Sequence, residues 1–151
     1  MVDVGGKPIS HRMAKARGVV RMSKSTYEQI QAGSIGKGDV LGVARTAGIM
    51  GTKWTPHLIP MCHPIAVDSV SIDFRWDENQ DDIDLTIEST VTTTGKTGVE
   101  MEALAAVSIT GLTIYDMCKS VDRAMQIHSV CLVEKKGGKS GHFVRNVATE
   151  D

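Results

Sequence analysis

The stretch SVSIDFRWDENQDDIDLTIESTV, residues 69–91, alternates twice with a period of two. Val70, Ile72, Phe74 and Trp76 interleave with Ser69, Ser71, Asp73 and Arg75. Ile83, Leu85, Ile87 and Val91 interleave with Asp84, Thr86, Glu88 and Thr90. Successive side chains of a strand point to opposite faces, so each run predicts a strand with one apolar face. The connection Asp77 to Asp81 is polar throughout, which makes the pair an antiparallel hairpin lying on a core.

Working outward, Ala14 to Met22 predicts a strand, followed by a short helix from about Ser25 with Ser25-x-x-Glu28 as a capping box. Asp39 is placed to cap a second helix, with Val40, Ala44, Ala47 and Gly51 on one face. A long helix spans Gly98 to Ser120, and Ile127 to Lys135 predicts a last strand. The order β-α-α-β-β-α-β suits an α+β fold. It predicts a ferredoxin-like sandwich, a four-stranded antiparallel sheet with helices on one face. The length, 151 residues, fits one domain over 1–151, with a frayed tail at about 148–151.

Composition narrows the partners. Seventeen basic and 18 acidic residues create no overall field toward nucleic acid or anionic lipid, and an aromatic share of 4% offers no base-stacking platform. An RNA-binding sheet would need exposed aromatics, whereas Phe74 and Trp76 share the parity of Val70 and Ile72 and should face the core. No apolar signal core follows Met1, and no run reads as long enough to span a bilayer, so a soluble cytoplasmic protein without membrane contact is expected. Cys62, Cys118 and Cys131 match neither a disulfide framework nor a C-x-x-C zinc site and read as thiols in a reducing compartment.

Chemistry concentrates in the long helix and the loops around it. Val99, Leu104, Val107, Ile109, Leu112, Ile114 and Met117 cover most of its azimuths, more than one sheet face can bury, so a second subunit is expected against it. Glu102, Asp116 and Lys119 nevertheless sit on this helix. Thr97-Gly98-Val99-Glu100 reads as a capping box, which gives Glu100 a structural explanation and leaves Glu102 with none. Asp116 and Lys119 are i, i+3 neighbours, either a plain intrahelical pair or, among Ile114, Tyr115, Met117 and Cys118, a tuned acid–base couple. Glu102 and Asp116 lie ~21 Å apart along a straight helix, so they meet only if two copies pack antiparallel about a two-fold axis.

Two loops add cations and an imidazole. In LIPMCHP, residues 58–64, prolines hold Met61, Cys62 and His63 rigidly, and no second His or Cys stands at metal-ligand spacing, so no metal site is expected. Lys37 lies between Gly36 and Gly38 just before a helix, on a thin loop able to reach a polyphosphate. Arg12, Lys53, Lys135 and Lys139 are further cations for such a ligand. Gly95-Lys96-Thr97 and Gly138-Lys139-Ser140 end like a P-loop but lack its first glycine, since Thr90 and Val133 stand there.

Six segments, MVDV at 1–4, KGDVL at 37–41, LIPMCHP at 58–64, TGKTGVEMEAL at 94–104, LTIYDMCK at 112–119 and GGKSG at 137–141, together resemble the molybdenum cofactor biosynthesis protein C (MoaC) family. The resemblance implies a lyase that converts a cyclised dihydro-GTP to cyclic pyranopterin monophosphate and diphosphate. It also implies a hexamer built as a trimer of dimers, with sites at the dimer interface. It makes Asp116 catalytic, with Lys119 and Lys37 as companions. Met61, Cys62, His63, Glu100, Met101, Glu102, Arg12, Lys53 and Lys135 become the substrate-binding residues. No cofactor is implied, beyond magnesium that could travel with the triphosphate. The contrasting reading is a non-enzymatic nucleotide-binding regulatory module of the same fold.

Overall fold

The structure, a computed structural model, describes residues 1–79 and 82–146. Part of the polar connection, residues 80 and 81, and the expected tail at 148–151 lie outside them. Along the chain run β1 (Ser10–Ser23), α1 (Lys24–Gln31), α2 (Val40–Leu58), β2 (Ser69–Asn79), β3 (Asp82–Gly95), α3 (Glu100–Cys118), β4 (Gln126–Lys136) and β5 (Phe143–Val144).

The hairpin forms as its alternation requires, Val70 opposite Val91 and Ile72 opposite Ser89, but it runs on through part of the polar stretch, pairing Asp77 with Asp84 and Asn79 with Asp82. Polar residues continue the ladder because its outer face is solvated. All strand pairs are antiparallel, in the order β2-β3-β1-β4-β5. Without the two-residue β5, which carries no alternation in the sequence, this is the 4-1-3-2 order of the ferredoxin-like sandwich.

β1 lies at the centre. Its inward residues Ala14, Ala16 and Val20 are fully buried, together with Leu85, Ile87 and Val91 of β3 and Ala106, Val107 and Ile114 of α3. Phe74 and Trp76 pack against this core, Trp76 edge-on to Tyr27 and Phe74 beneath the Arg45 guanidinium.

Helix boundaries follow local chemistry, with two corrections. Ser23, not Ser25, caps α1, its side chain accepting from the Thr26 amide. At α3 the cap is Val99, with no side-chain hydrogen bond, so Thr97 and Glu100 form no capping box. Asp39 does cap α2, accepting from the Gly42 amide. That helix ends at Ile59, which the following Pro60 holds extended, and the chain turns there to present Met61, Cys62 and His63. α2 and α3 pack closely where Gly48 meets Thr110 and Ala106.

At 19 residues, α3 is long and apolar enough to cross a membrane by length and composition, contrary to the expectation that no run is. It serves here as the core helix of the sandwich, with Ala103, Ala106, Val107, Ile114 and Cys118 buried. Its other side, with α2, leaves Leu112, Met50, Trp54 and Leu58 more than half exposed.

Candidate active site

The sequence-predicted residues gather at the two ends of α3. At its C-terminal end Asp116 accepts from Lys119 Nζ at 2.7 Å and from Lys37 Nζ at 2.6 Å. Lys37 arrives on the loop before α2 and also donates to the Asp116 carbonyl at 3.0 Å. Within one chain these side chains are about half exposed, not buried among apolar neighbours. Ile114, Met117 and Cys118 face the core, while 116 and 119 fall on the other side of the helix. The plain i, i+3 pair therefore exists, and Lys37 makes it a three-membered cluster. Hydrogen bonds from Lys119, then Lys37, pull the Asp116 carboxyl down to about 2, and Asp116 in turn raises Lys119.

At the N-terminal end, Met61, Cys62, His63, Glu100, Met101 and Glu102 line one cavity of about 290 Å³. Glu102 is 2% exposed with no ion pair among the described residues. Burial, then repulsion from Glu100, raises its carboxyl above the ordinary range. Cys62 is pushed up as well, by burial and then by Glu102, which makes it a poor thiolate. Burial is the largest influence on Glu100 and works against its charge, but the Lys135 hydrogen bond at 2.8 Å, the residue's own backbone N–H and the charges of Lys135 and Arg12 together outweigh it and the carboxyl titrates low. Glu100 thus has an ion-pair role in place of the capping role its spacing suggested. Ile65, Thr97 and Gly98 line the cavity too and were not among the predicted site residues; the glycine-rich run at 95–98 is the one signal that points to them.

Arg12 stands beside this end, its guanidinium donating to the carbonyls of Gly95 (3.0 Å) and Lys96 (3.2 Å) and so fixing the loop that enters α3. Lys135 bonds both Glu100 and Ser140. Lys53, exposed on α2, lines neither this cavity nor a neighbouring one bounded by Lys7, Ser10, Arg12, Lys139 and Ser140, and is the one predicted cation that a single chain does not bring to either. The described residues include no group of three or more His, Cys, Asp or Glu able to hold a metal ion, and all three cysteines are free.

The chain that carries these two charged clusters, at opposite ends of one helix, matches a known family in sequence. Its model, described as MoaC family, fits residues 1–138. The chain belongs to the MoaC family. Among curated proteins similar to it, the cyclic pyranopterin monophosphate synthase of Syntrophomonas wolfei is 57% identical over 146 residues, 97% of this chain and 92% of the relative. That of Clostridium perfringens is 57% identical over 95% of this chain and 89% of the relative. The Novosphingobium aromaticivorans protein of the same name is 56% identical over 93% and 87%. The family resemblance drawn from the six segments is thereby established across nearly the whole chain, and the MoaC segments at 37–41, 58–64, 94–104 and 112–119 supply both clusters.

Proposed function

We infer that this chain is a cyclic pyranopterin monophosphate synthase, a lyase of molybdenum cofactor biosynthesis. The observation that carries the reading is identity above half, over nearly the full chain, to curated synthases of that name. The substrate is the cyclised dihydro-GTP and the products are cyclic pyranopterin monophosphate and diphosphate. In the phosphate step a ribose hydroxyl oxygen bonds to the α-phosphorus and the bond to the β-phosphate oxygen breaks. Diphosphate leaves with the electron pair, and the hydroxyl proton passes to a base.

The residue types support that chemistry. Lys119 and Lys37 carry protons and positive charge for general-acid work and for the developing phosphate charge. Asp116, the carboxylate between them, is the acceptor in the cluster and fixes their positions. Glu102, buried and short of a partner, suits the N–H groups of the purine portion. His63, Arg12, Lys53 and Lys135 hold the triphosphate, and magnesium, where used, enters bound to it.

Both clusters serve one substrate only if two copies pack α3 against α3 in antiparallel fashion. Lys119 of one copy then faces Glu102 of the other, and Lys53 reaches the site it misses in its own chain. The exposed Met50, Trp54, Leu58 and Leu112 are the apolar surface available for that contact. We read the assembly as three such dimers. Three free thiols suit a reducing cytoplasm. Incubating the purified protein with the cyclised dihydro-GTP tests the reading, with formation of cyclic pyranopterin monophosphate and stoichiometric diphosphate expected; substrate recovered unchanged overturns it.

A further inference from the structure

Helix α3 ends at Lys119, and the group that holds this end in place lies a few residues further on. The Asp122 carboxylate accepts from the Ser23 N–H at 3.0 Å and the Thr26 hydroxyl at 3.1 Å through Oδ2, and from the Ala124 N–H at 3.0 Å through Oδ1. Ser23 ends the central strand β1 and caps α1, and Thr26 is buried in the first turn of that helix. Burial works against the charge on Asp122, but these donors and the Ser23 hydroxyl outweigh it and hold the carboxyl below its ordinary value. At neutral pH the carboxylate is therefore ionised and can accept from all of them.

Backbone bonds carry the constraint back to the lysine. The Val121 and Asp122 N–H groups both donate to the Cys118 carbonyl, and the Tyr115 hydroxyl donates to the Arg123 carbonyl at 3.2 Å. Cys118 and Met125, on either side of this turn, are buried in the core. Lys37, the other ammonium on Asp116, has an anchor of its own, since the Gly38 N–H donates to the carbonyl of the buried Ile35. The Lys37–Asp116–Lys119 cluster is about half exposed and has little packing to fix it, so these two anchors set where its ammoniums stand.

We propose that Asp122 is a positioning residue for Lys119: by tying the turn after α3 to the β1–α1 junction, it holds that ammonium where the reacting atoms need it. The assignment rests on the reaction proposed above and extends it to a carboxylate outside both clusters. A displacement of ~1 Å at a reacting group can cost about a hundredfold in rate. The loss should fall on kcat and spare KM, because His63, Glu102 and the other groups that bind substrate are carried by the opposite end of α3 and its neighbouring loops.

Asp122→Asn keeps the size of the side chain but loses its charge and turns an amide N–H toward one of the donors. The folded variant, checked by circular dichroism, should lose at least ~tenfold in kcat while KM for the cyclised dihydro-GTP stays within about twofold. Its Asp116 carboxyl, followed by carbon-detected NMR, should titrate above about 2 and closer to the ordinary 3.8, because Lys119 no longer sits squarely on it. Ser23→Ala is the control for stability alone. It removes the α1 cap and lowers Tm but leaves the backbone N–H that Asp122 accepts, so kcat should stay within about twofold of wild type. Thr26→Val deletes one donor with the shape kept; it should lower kcat about threefold and decides the matter if Asp122→Asn does not fold. Wild-type kcat and Asp116 titration in the folded Asp122→Asn or in Thr26→Val, or an equal kcat loss in Ser23→Ala, overturns the positioning role. If wild type forms no product but the Asp116 titration shifts in Asp122→Asn, the tether stands and the reaction falls.

Discussion

Lys37 Nζ lies 2.6 Å from Asp116 Oδ2 across 79 positions of chain, while Lys119 takes the opposite oxygen at 2.7 Å. One carboxylate therefore fixes the spacing of two ammoniums and leaves the cluster with one surplus positive charge. Exposed ion pairs of this kind contribute little to stability, so their worth is in presenting cations. The two hydrogen bonds hold Asp116 ionised down to about 2. The charged arrangement is thus complete at neutral pH and, on the acid side, is lost as pH falls through that value.

Lys119→Ala should leave the fold intact and lower turnover by well over tenfold, ~1.4 kcal/mol of barrier per factor of ten. The same change removes the largest cause of the Asp116 shift, so its carboxyl should titrate closer to the ordinary 3.8. Steady-state kinetics and a carbon-detected NMR titration of the Asp116 carboxyl check the two halves. A loss smaller than tenfold would show that Lys119 is not part of the chemistry.

Separation of the clusters along α3 makes a sharper demand. Lys119→Ala and Glu102→Gln should each be inactive alone, yet mixing the two after dissociation and reassociation should restore about a quarter of the wild-type rate. Random pairing of subunits makes half the dimers mixed, and each mixed dimer regains one of its two sites. No recovery in the mixture would mean that each chain works with its own residues alone.

What was legible in advance and what was not divide along physical lines. The hairpin, the first strand, the Asp39 cap and the order of the main elements along the chain follow from local periodicity and capping, which short windows of sequence contain; the order of strands across the sheet rests on long-range pairing, which they do not. Asp116 with Lys119 was visible for the same reason. The company of Lys37 was not derivable from spacing, because it depends on where a distant loop lands. Nor was the exposure of Asp116: apolar neighbours in sequence point to the other side of a helix, and azimuth matters more than adjacency. Glu100 misled in the opposite sense, since a capping-box spacing is outweighed when Lys135 offers a full charge.

Glu102 predicts an inverted pH effect on stability. Burial raises its folded-state pKa, so the native chain holds this proton more tightly than the unfolded one. Its contribution is best below the ordinary 4.5 and declines as pH rises from there through the folded value. Glu102→Gln keeps the shape and removes the charge, so the variant should melt above wild type at pH 8, with the gap closing toward pH 4. Thermal melts across that range provide the check, and a variant less stable at pH 8 would mean that Lys119 of the second copy pairs directly with the carboxylate instead of standing across the substrate from it.

Gly48 controls how closely the two large helices approach. A Cβ there would land on Thr110 Oγ1 and Ile72 Cδ1 and come 3.0 Å from the Ala106 carbonyl oxygen, a backbone atom of α3 that cannot rotate away. Thr110 has little freedom to yield, since its hydroxyl is fully buried and donates to that same carbonyl at 2.8 Å. Alanine would recover ~1 kcal/mol of helix propensity, offsetting part of the clash. Valine adds two methyl groups to the same contact and should cost ~1–3 kcal/mol or more by overpacking. Gly48→Val should therefore lower Tm by several degrees, at about 2–4 °C per kcal/mol for a chain of this size, with Gly48→Ala in between. Calorimetry on both variants decides it. A Gly48→Val protein melting with wild type would show that α2 and α3 are free to separate, and the helix pair could not then be the rigid support for the Lys37–Asp116 contact.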